Sequence, residues 1–286
     1  MKNPVLERLN RYGIRPRKEL GQHFLIDSNV LSAIVAHIDP QAEDVIVEFG
    51  PGLGVMTEQL LDAGAHVVGI ELDDDMANVL RAELGHREHF DLRHTDLARV
   101  DTRQIATDKG VPRIKLVGNL PYQLTSVVLF GLLELGDVLD SAVFLVQREV
   151  AERIVSPPGS KRFGILSVLL QAYYEVRLER RVTPGCFAPP PRVDSAVLQV
   201  RPLAQPALTW EERATFVALV KHVFNERRKV LRNTLKKFYE LDGASLDSLA
   251  TDSGVDLGAR PEALPVTDFV RLLHALPAST SSGSES

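Results

Sequence analysis

Short apolar runs alternate with amphipathic stretches over the first two-thirds of the chain. The runs are rich in β-branched and aromatic residues, which is typical of buried strands. They predict strands at "VIVEF" (45–49), "HVVGIE" (66–71), "FDLRH" (90–94), "IKLVGN" (114–119) and "SAVFLVQ" (141–147). The stretches between them, such as 55–63 and 74–84, have helical periodicity. This alternation indicates βαβ units, and therefore an α/β fold with a mostly parallel sheet.

Two further β-rich segments follow, at 173–182 and 193–201. The connection "TPGCFAPPPR" carries too many prolines for a helical crossover. We therefore expect these two strands to pair antiparallel at one edge of the sheet, which would bring the sheet to seven strands.

The pattern changes to helices after residue 204. One helical stripe is apolar, with Phe216, Val220, Val223, Phe224, Leu231, Leu235 and Phe238. A neighbouring stripe is basic, with Lys221, Arg228, Arg232 and Lys236. Solvated helices usually mix charge signs in i,i+4 pairs, so a stripe of one sign favours a polyanion-binding face over a merely solvated one. We expect an α/β domain over 1–204, a small helical domain over 205–277 and a disordered low-complexity tail over 278–286.

Composition and charge limit the function classes. The 286 residues are 44% hydrophobic and 25% charged, which is ordinary for a globular protein. The single cysteine, Cys186, excludes an intramolecular disulfide and a Cys-rich zinc site. No secretory signal and no apolar stretch of membrane-spanning length occur, so we expect a cytoplasmic protein without membrane contact.

The formal net charge of −5 argues mildly against a nucleic-acid partner, but the charge is unevenly distributed. Residues 221–237 carry seven Lys and Arg side chains against one Glu. Arg11, Arg15, Arg17 and Lys18 form a second basic segment. The net charge of the chain is therefore negative, although the chain contains two basic patches.

The first predicted strand runs directly into a glycine loop, "EFGPGLGVMTEQLL", which contains Glu48, Gly50, Gly52 and Gly54. Glycines between a strand and a helix let a ligand approach the backbone N–H groups. A plain βα turn needs fewer glycines, so we favour a ligand loop. The second strand ends in Glu71, about twenty residues on, where a carboxylate can bind ribose hydroxyls. Together these features indicate an adenosine-containing cofactor.

The spacing Gly-x-Gly-x-Gly differs from the Gly-x-Gly-x-x-Gly loop of dinucleotide-binding proteins. Asp96 follows the third strand, where it could accept a hydrogen bond from an adenine amino group. An aspartate in this position is equally expected as a helix cap or turn residue. Both interpretations of Asp96 stay open.

The segment "GNLPYQL" ends the fourth strand in an unusual way. Asn119 is a poor strand residue, and Pro121 stops the ladder. As a bare tetrapeptide "NLPY" is usually a turn. At the carboxyl end of a strand beside the glycine loop, however, the Asn119 oxygen and the Leu120 carbonyl could each accept one N–H of an adenine amine. Tyr122 could stack on the base. A sulfonium methyl donor would require no metal.

The sequence resembles a known family at these segments and at several others. They are "GQHFL" (21–25), "VEFGPGLGVMT" (47–57), "IELD" (70–73), "NLPY" (119–122), "FAPPPRVDSAV" (187–197) and "VFNERRKVLRNTL" (223–235). They look like the motifs of the rRNA adenine-N6 dimethyltransferases, in the family's order, from about residue 17 to residue 275. Within the family the chain is similar to the bacterial small-subunit branch, the kasugamycin-resistance type.

This resemblance implies a class I, Rossmann-like methyltransferase domain over 1–204 that uses S-adenosyl-L-methionine. The implied substrate is a pair of adjacent adenosines in a hairpin loop near the 3′ end of 16S rRNA, within the small ribosomal subunit or its precursor. Asn119, Leu120, Pro121 and Tyr122 would hold the target base. Phe187 would be a second stacking residue. Composition alone favours a buried aromatic there, but its proline-stiffened loop suggests an exposed, rigid ring.

Cofactor contacts and RNA contacts are also implied by the resemblance. The cofactor residues would be His23, Leu25, Gly50, Gly52, Glu71, Asp96 and Asn119. The family often has Asn where this chain has His23, and imidazole keeps a donor and an acceptor. The RNA-phosphate contacts would be Lys221, Arg227, Arg228, Lys229 and Arg232. We expect a monomer and no metal site.

Four alternatives remain from the sequence. An adenine-N6 DNA methylase and a 23S rRNA methylase would bind the same cofactor with the same kinds of residue. A nicotinamide oxidoreductase would need the longer glycine spacing and a proton-handling residue, and neither is evident. A non-catalytic ribosome-assembly factor could use the same scaffold, although an intact "NLPY" favours catalysis.

Overall fold

The protein forms two compact units in a computed structural model that describes residues 3–17 and 21–276. The first unit contains the described residues up to Ala151 together with Val176–Pro202. The second contains Glu152–Glu175 and the described residues from Leu203 onward. In the part of the chain that the structure describes, no helix has the length and apolar character needed to cross a membrane.

The first unit is built on a seven-stranded sheet with the strand order β4-β3-β2-β5-β6-β9-β7. Strands β2 to β6 run parallel to one another, and β9 pairs antiparallel with β6. A separate two-stranded sheet joins β1 and β8 antiparallel. The strands are β1 Phe24–Leu25, β2 Val45–Phe49, β3 His66–Glu71, β4 Phe90–His94, β5 Ile114–Asn119, β6 Leu139–Gln147, β7 Tyr174–Val182, β8 Phe187–Ala188 and β9 Ser195–Pro202.

The helices follow the strands in the expected alternation. They are α1 Pro4–Arg11, α2 Ser28–Ile38, α3 Val55–Asp62, α4 Asp74–Leu84, α5 Thr102–Lys109, α6 Thr125–Leu135, α7 Arg148–Ile154, α8 Ile165–Tyr173, α9 Arg213–Asn225, α10 Leu231–Phe238, α11 Gly243–Ser253 and α12 Val266–Ala275. The predicted parallel sheet is confirmed, and the two late strands do lie next to each other at one edge of it.

Burial of the sheet explains why its strands were recognisable. Every residue of β2 is buried, which requires cover on both faces and explains the uninterrupted apolar run "VIVEF". Strands β5 and β6 are buried almost throughout. The polar residue within β2, Glu48, therefore lies in the core at 1% exposure.

The second unit is helical and also includes α8, which the contiguous division at residue 204 had placed in the α/β domain. Helix α8 packs against α9 and α12. Tyr173, at its end, stacks on Trp210 with ring centroids 4.6 Å apart. Because α8 buries nearly all its residues, its sequence does not show which neighbours cover it. The proposed tail, 278–286, lies outside the described residues.

The basic stripe of the second unit is not continuous. Helix α9 ends at Asn225 and α10 begins at Leu231. Lys221 therefore belongs to α9, Arg228 to the turn between the helices, and Arg232 to α10. The apolar stripe is buried as predicted except at its end, where Phe238 is 41% exposed.

Candidate active site

A cavity of about 320 Å³ opens at the carboxyl ends of the parallel strands. This is the edge at which α/β sheets bind ligands. The cavity is lined by parts of 21–25, 48–56, 70–73, 95–97 and 119–124. Each of these segments lies at one end of a strand, and helix residues complete the lining: Val5, Leu31, Ile34 and Met76. The fold thus gathers the glycine loop, Glu71, Asp96 and the "NLPY" segment around one space.

The glycine loop has the backbone conformation that its composition predicts. Gly50, Gly52 and Gly54 have φ of +67°, +55° and +77°, a region that other residues rarely adopt. A Cβ at Gly54 would also lie 2.9 Å from the Leu84 side chain. The loop therefore requires glycine, and its backbone lines the cavity directly.

Glu71 closes the glycine loop from the neighbouring strand. It accepts hydrogen bonds from the Gly52 N–H at 3.0 Å and from the Asp73 N–H at 2.9 Å. Burial raises the pKa of Glu71, and the two N–H donors partly offset this. The carboxylate predicted at the end of β3 thus lies at the cavity, where it also positions the loop.

Glu48 is a feature whose role the sequence did not show. Its side chain is buried at the cavity floor and accepts a hydrogen bond from the Thr57 hydroxyl at 2.6 Å. Burial raises the pKa of Glu48 to about 7. Glu48 and Thr57 are nine residues apart across the loop, and a polar residue inside an apolar strand was the signal that could have revealed the pair.

Asp96 is a cap residue, as one of the two interpretations left open by the sequence predicted. Its side chain accepts a hydrogen bond from the Ala98 N–H at 2.9 Å and caps a short 3-10 helix, Leu97–Arg99. It also lines the cavity. Capping uses only one carboxylate oxygen, so the other can receive a ligand.

Asn119 has a defined orientation. Its Nδ2 donates to the backbone carbonyl of His23 at 2.8 Å. A carbonyl oxygen can only accept, so this bond determines which end of the amide is nitrogen. Within the described part of the chain, no group donates to the Oδ1 of Asn119. The amide oxygen is therefore available as an acceptor, as the sequence predicted.

The three residues after Asn119 leave a second acceptor. The Leu120 N–H donates to the Leu145 carbonyl at 3.1 Å, while no described residue donates to the Leu120 carbonyl oxygen. The Pro121 carbonyl accepts from the Leu124 N–H at 2.9 Å in the turn before α6. The interpretation of "NLPY" as a turn is thus correct for its backbone, and in this turn the Leu120 carbonyl receives no hydrogen bond from the described part of the chain.

Tyr122 lies half-buried at the cavity. Its hydroxyl is 2.8 Å from the Ser195 hydroxyl, and burial raises its pKa. Its ring is stacked near the His23 imidazole, with centroids 6.0 Å apart and planes inclined by 28°. Ser195, which holds the ring in place, was not among the predicted residues, although it lies within the motif "FAPPPRVDSAV".

The segment "GQHFL" reaches the cavity through the small β1–β8 sheet. Phe24 pairs with Ala188 and Leu25 with Phe187. His23 and Leu25 both line the cavity, in agreement with their predicted location. The His23 Nδ1 lies 2.8 Å from the Pro189 carbonyl oxygen, which makes Nδ1 the donor.

Phe187 requires a correction. The sequence suggested an exposed ring, but its side chain is 3% exposed and packs in the core with Val182 and Val197. It does not line the cavity. The β1–β8 pairing holds this strand against the sheet and so buries the ring, an effect that proline content alone could not indicate.

The first two-thirds of the chain and the helical unit match one family throughout. The profile of the family described as "Ribosomal RNA adenine dimethylase" matches residues 13–276. The chain belongs to this family. The recognition from sequence motifs, the methyltransferase fold class and the enzyme class are therefore confirmed.

Individual relatives agree with this membership. The ribosomal RNA small subunit methyltransferase A of Anaeromyxobacter sp. (strain K) is 45% identical over 277 residues, which cover 94% of this chain and 96% of the relative. The protein of the same name from Geobacter metallireducens is 39% identical, with 93% and 97% covered. The crystal structure of a dimethyladenosine transferase from Plasmodium falciparum is 21% identical with a TM-score of 0.69, and covers 87% of this chain and 96% of its own. That likeness shows the fold alone.

The cations expected to bind RNA differ in their availability in this dimethylase. Three already have protein partners: Arg227 with Glu262 at 3.6 Å, Lys229 with Glu226 at 3.0 Å and Arg232 with Asp247 at 2.7 Å. Lys221 also has an interaction within the protein. Arg228 is exposed and makes no ion pair with any residue that the structure describes.

The basic segment near the N-terminus is partly neutralised as well, while the exposed Arg15 makes no ion pair with any described residue. Arg11 pairs with Glu7 and Glu83, and Arg17 pairs with Asp75. Lys18 lies outside the described residues. Charge counting within the segment therefore overstated its free positive charge, because two of its acidic partners, Glu83 and Asp75, lie far from it in sequence.

We expect Glu48→Gln to change the pH dependence of stability. The folded protein holds a proton on Glu48 up to a pKa of about 7, above the ordinary value of 4.5. Between those values the folded state binds more protons than the unfolded state, so this group makes stability fall as the pH rises. Glutamine has no proton to lose and removes that part of the slope.

Urea unfolding at about pH 5 and about pH 8 measures this difference, because the two conditions bracket most of the titration. Glu88→Gln, which removes an exposed carboxylate, is the matched control. If Glu48→Gln kept the wild-type slope, the raised pKa of Glu48 would be wrong.

Phe187→Ala should lower the free energy of unfolding by about 3–5 kcal/mol, because truncating a buried ring leaves a cavity. Phe238→Ala, at a ring that is 41% exposed, should cost much less. Denaturant unfolding compares the two variants. Wild-type stability in Phe187→Ala would instead support the exposed stacking ring suggested by the sequence.

Proposed function

We propose that this protein transfers methyl groups from S-adenosyl-L-methionine to N6 of two adjacent adenosines. The adenosines lie in a hairpin loop near the 3′ end of 16S rRNA, in the small ribosomal subunit or its precursor. The observation that carries the proposal is the orientation of Asn119, whose amide nitrogen donates to the His23 carbonyl while none of the described residues donates to its oxygen. Relatives named ribosomal RNA small subunit methyltransferase A support the choice of ribosomal subunit.

The cavity has the features that an adenosine-containing methyl donor needs. Its volume of about 320 Å³ is within the range of small-molecule sites. Gly52 brings the backbone to the cavity wall, and a Cβ there would contact the Phe24 ring at 3.4 Å. Glu71 would hold the ribose and Asp96 the adenine amine. His23, Leu25, Gly50 and Asn119 would complete the cofactor contacts. When bound, the donor supplies an electrophilic methyl group on a positively charged sulfur.

The acidic residues at the cavity suit a cationic ligand. Glu48 and Glu71 are both buried there, and the charge of Glu71 helps to raise the pKa of Glu48. A positive charge nearby would favour their ionised forms. Cofactor binding would therefore relieve part of the cost of burying two neighbouring carboxyl groups.

The "NLPY" residues would act on the target base. The Asn119 Oδ1 and the Leu120 carbonyl oxygen would each accept one N–H of the adenine amine. Two acceptors bias the amine nitrogen toward tetrahedral geometry, which frees its lone pair from the ring. Pro121 fixes the turn, and Tyr122 would stack on the base. Catalysis would rest on orientation and on preorganised hydrogen-bond acceptors. Phe187 has no stacking role here because its ring is buried.

The helical unit would provide affinity for the RNA. Lys221, Arg227, Arg228, Lys229 and Arg232 would contact phosphates, which position RNA without specifying its bases. Arg228 would contribute most directly, since it is paired with none of the carboxylates that the structure describes. The target adenosine would be selected by flipping out of the loop into the pocket.

We expect Asn119→Ala to lower the methyl-transfer rate by about 10²-fold to 10³-fold, the typical cost of losing one preorganised group at a reacting centre. Purified protein and labelled S-adenosylmethionine would be incubated separately with unmethylated 30S subunits, naked 16S rRNA, 23S rRNA and adenine-containing DNA. Nucleoside analysis identifies the product. Asn78→Ala, at an exposed asparagine of the same unit, is the matched control and should keep the wild-type rate.

Dimethyladenosine from 30S subunits, lost in Asn119→Ala, is the expected result. Label in 23S rRNA or in DNA would assign a different substrate. Cofactor binding without transfer to any substrate would favour the assembly-factor alternative. Binding of Asn119→Ala to 30S subunits tests whether binding and catalysis are separable.

Arg228→Ala should weaken 30S binding and reduce the slope of log affinity against log salt concentration by about 1, the value for one lost phosphate contact. Arg232→Ala is the matched comparison. Arg232 already pairs with Asp247, so its loss should change the salt dependence of binding less. Binding titrations over a series of salt concentrations measure both slopes. Equal slopes in the wild type and Arg228→Ala would exclude the proposed phosphate contact.

A further inference from the structure

Three separate segments meet at His23. The backbone carbonyl of His23 accepts from Asn119 Nδ2 at 2.8 Å, and the imidazole Nδ1 lies 2.8 Å from the Pro189 carbonyl oxygen. Since neither carbonyl can donate, Nδ1 carries the proton and donates to Pro189. One residue thus connects the segment after β8 with the amide at the end of β5.

The His23 backbone has little regular structure to hold it in place. It lies just before β1, and that strand contains only Phe24 and Leu25. Close to His23, the side chain of Gln22 donates to Asp73 Oδ2 at 2.9 Å. Side-chain hydrogen bonds therefore supply much of the restraint on the carbonyl that orients Asn119. Among these restraints, the hydrogen bond to the Pro189 carbonyl is the one made by the side chain of His23.

The orientation of Asn119 is sensitive to this carbonyl. The His23 carbonyl is the partner that the structure gives to Nδ2, and rotation of the amide would exchange its nitrogen and oxygen. A rotated amide would present N–H groups to the adenine amine, which is itself a donor. Loss of the carbonyl from its place would thus populate an orientation that cannot accept the substrate.

We propose that His23 is a positioning residue for methyl transfer. Its imidazole, bonded to the Pro189 carbonyl, holds the backbone carbonyl that keeps the Asn119 oxygen facing the target amine. This role goes beyond a contact with the cofactor, and it rests on the proposed function of Asn119. It also accounts for the meeting of "GQHFL", "NLPY" and "FAPPPRVDSAV" at one point.

The position of the donor along the side chain provides a selective test. Asparagine has an amide nitrogen at the δ position, equivalent to Nδ1, so His23→Asn can keep the bond to Pro189. Glutamine has its nitrogen one bond farther out, so His23→Gln keeps polarity and misplaces the donor. His23→Ala removes the donor. His86→Ala is the control, because His86 is an exposed histidine in the same unit.

Single-turnover methylation of 30S subunits with saturating cofactor gives the first readout. We expect the rate to fall about 10-fold to 100-fold in His23→Ala and His23→Gln, the effect of a small misplacement at the reacting centre. His86→Ala should keep the wild-type rate, and the conservative variant His23→Asn should recover most of the rate that His23→Ala loses. Affinity for S-adenosylhomocysteine, measured by calorimetry, should change much less than the rate in all four variants.

The apo-protein gives a second readout that does not depend on activity. In protein labelled with ¹⁵N at asparagine side chains, the Asn119 amide signal is identified by its loss in Asn119→Ala. Its protons should exchange with solvent faster in His23→Ala and His23→Gln than in the wild type and His23→Asn.

The outcomes separate this inference from the proposed function. A wild type that does not methylate 30S subunits contradicts the function, whatever His23 does. An active wild type with unchanged rate and exchange in His23→Ala overturns the positioning role. Equal losses of rate and cofactor affinity in all His23 variants, with unchanged exchange at Asn119, would also overturn it and leave His23 as a cofactor contact.

Discussion

The parallel pairing of β2 with β5 is the constraint on which the site depends. Phe49 lies opposite Gly118, where a Cβ would come within 2.6 Å of the Phe49 carbonyl oxygen. The two strands therefore approach closely only because residue 118 is glycine. As a result the glycine loop and "NLPY" leave the sheet side by side, with the ideal Cβ position of Gly50 only 4.0 Å from the Asn119 carbonyl oxygen. The proposed methyl donor and the proposed target base would then share one cavity.

The site concentrates polar groups that would be unfavourable in an ordinary core. Glu48 and Glu71 are buried next to each other, and burial raises the pKa of both. The Gly52 and Asp73 N–H groups donate to Glu71 and the Thr57 hydroxyl donates to Glu48, which satisfies part of their hydrogen-bonding capacity. Burial of the two carboxyl groups still carries a free-energy cost. Such a cost is typical of a binding site, and here a cationic ligand would lower it.

Much of the fold could be predicted from the sequence. A strand that is buried on both faces, such as β2, has a nearly continuous run of apolar residues. The glycine loop, Glu71 and "NLPY" could be assigned to one site because parallel strands end at one edge. Phe187 could not, since its burial depends on the pairing of β8 with β1 across more than 150 residues. The ion pairs of Arg227 and Arg232 were equally hidden, because their partners lie elsewhere in the chain.

By its residues and their spacing alone, the sequence determined the family, the parallel sheet and the kinds of group that line the cavity. Those features follow from local periodicity and from motifs that each lie within one segment. Tertiary structure decided the orientation of the groups: which end of the Asn119 amide faces the cavity, which cations of the helical unit remain free, and which aromatic rings are buried. These properties depend on contacts between segments that are distant in sequence, such as Asn119 with His23 and Arg232 with Asp247, and no local pattern encodes such partners.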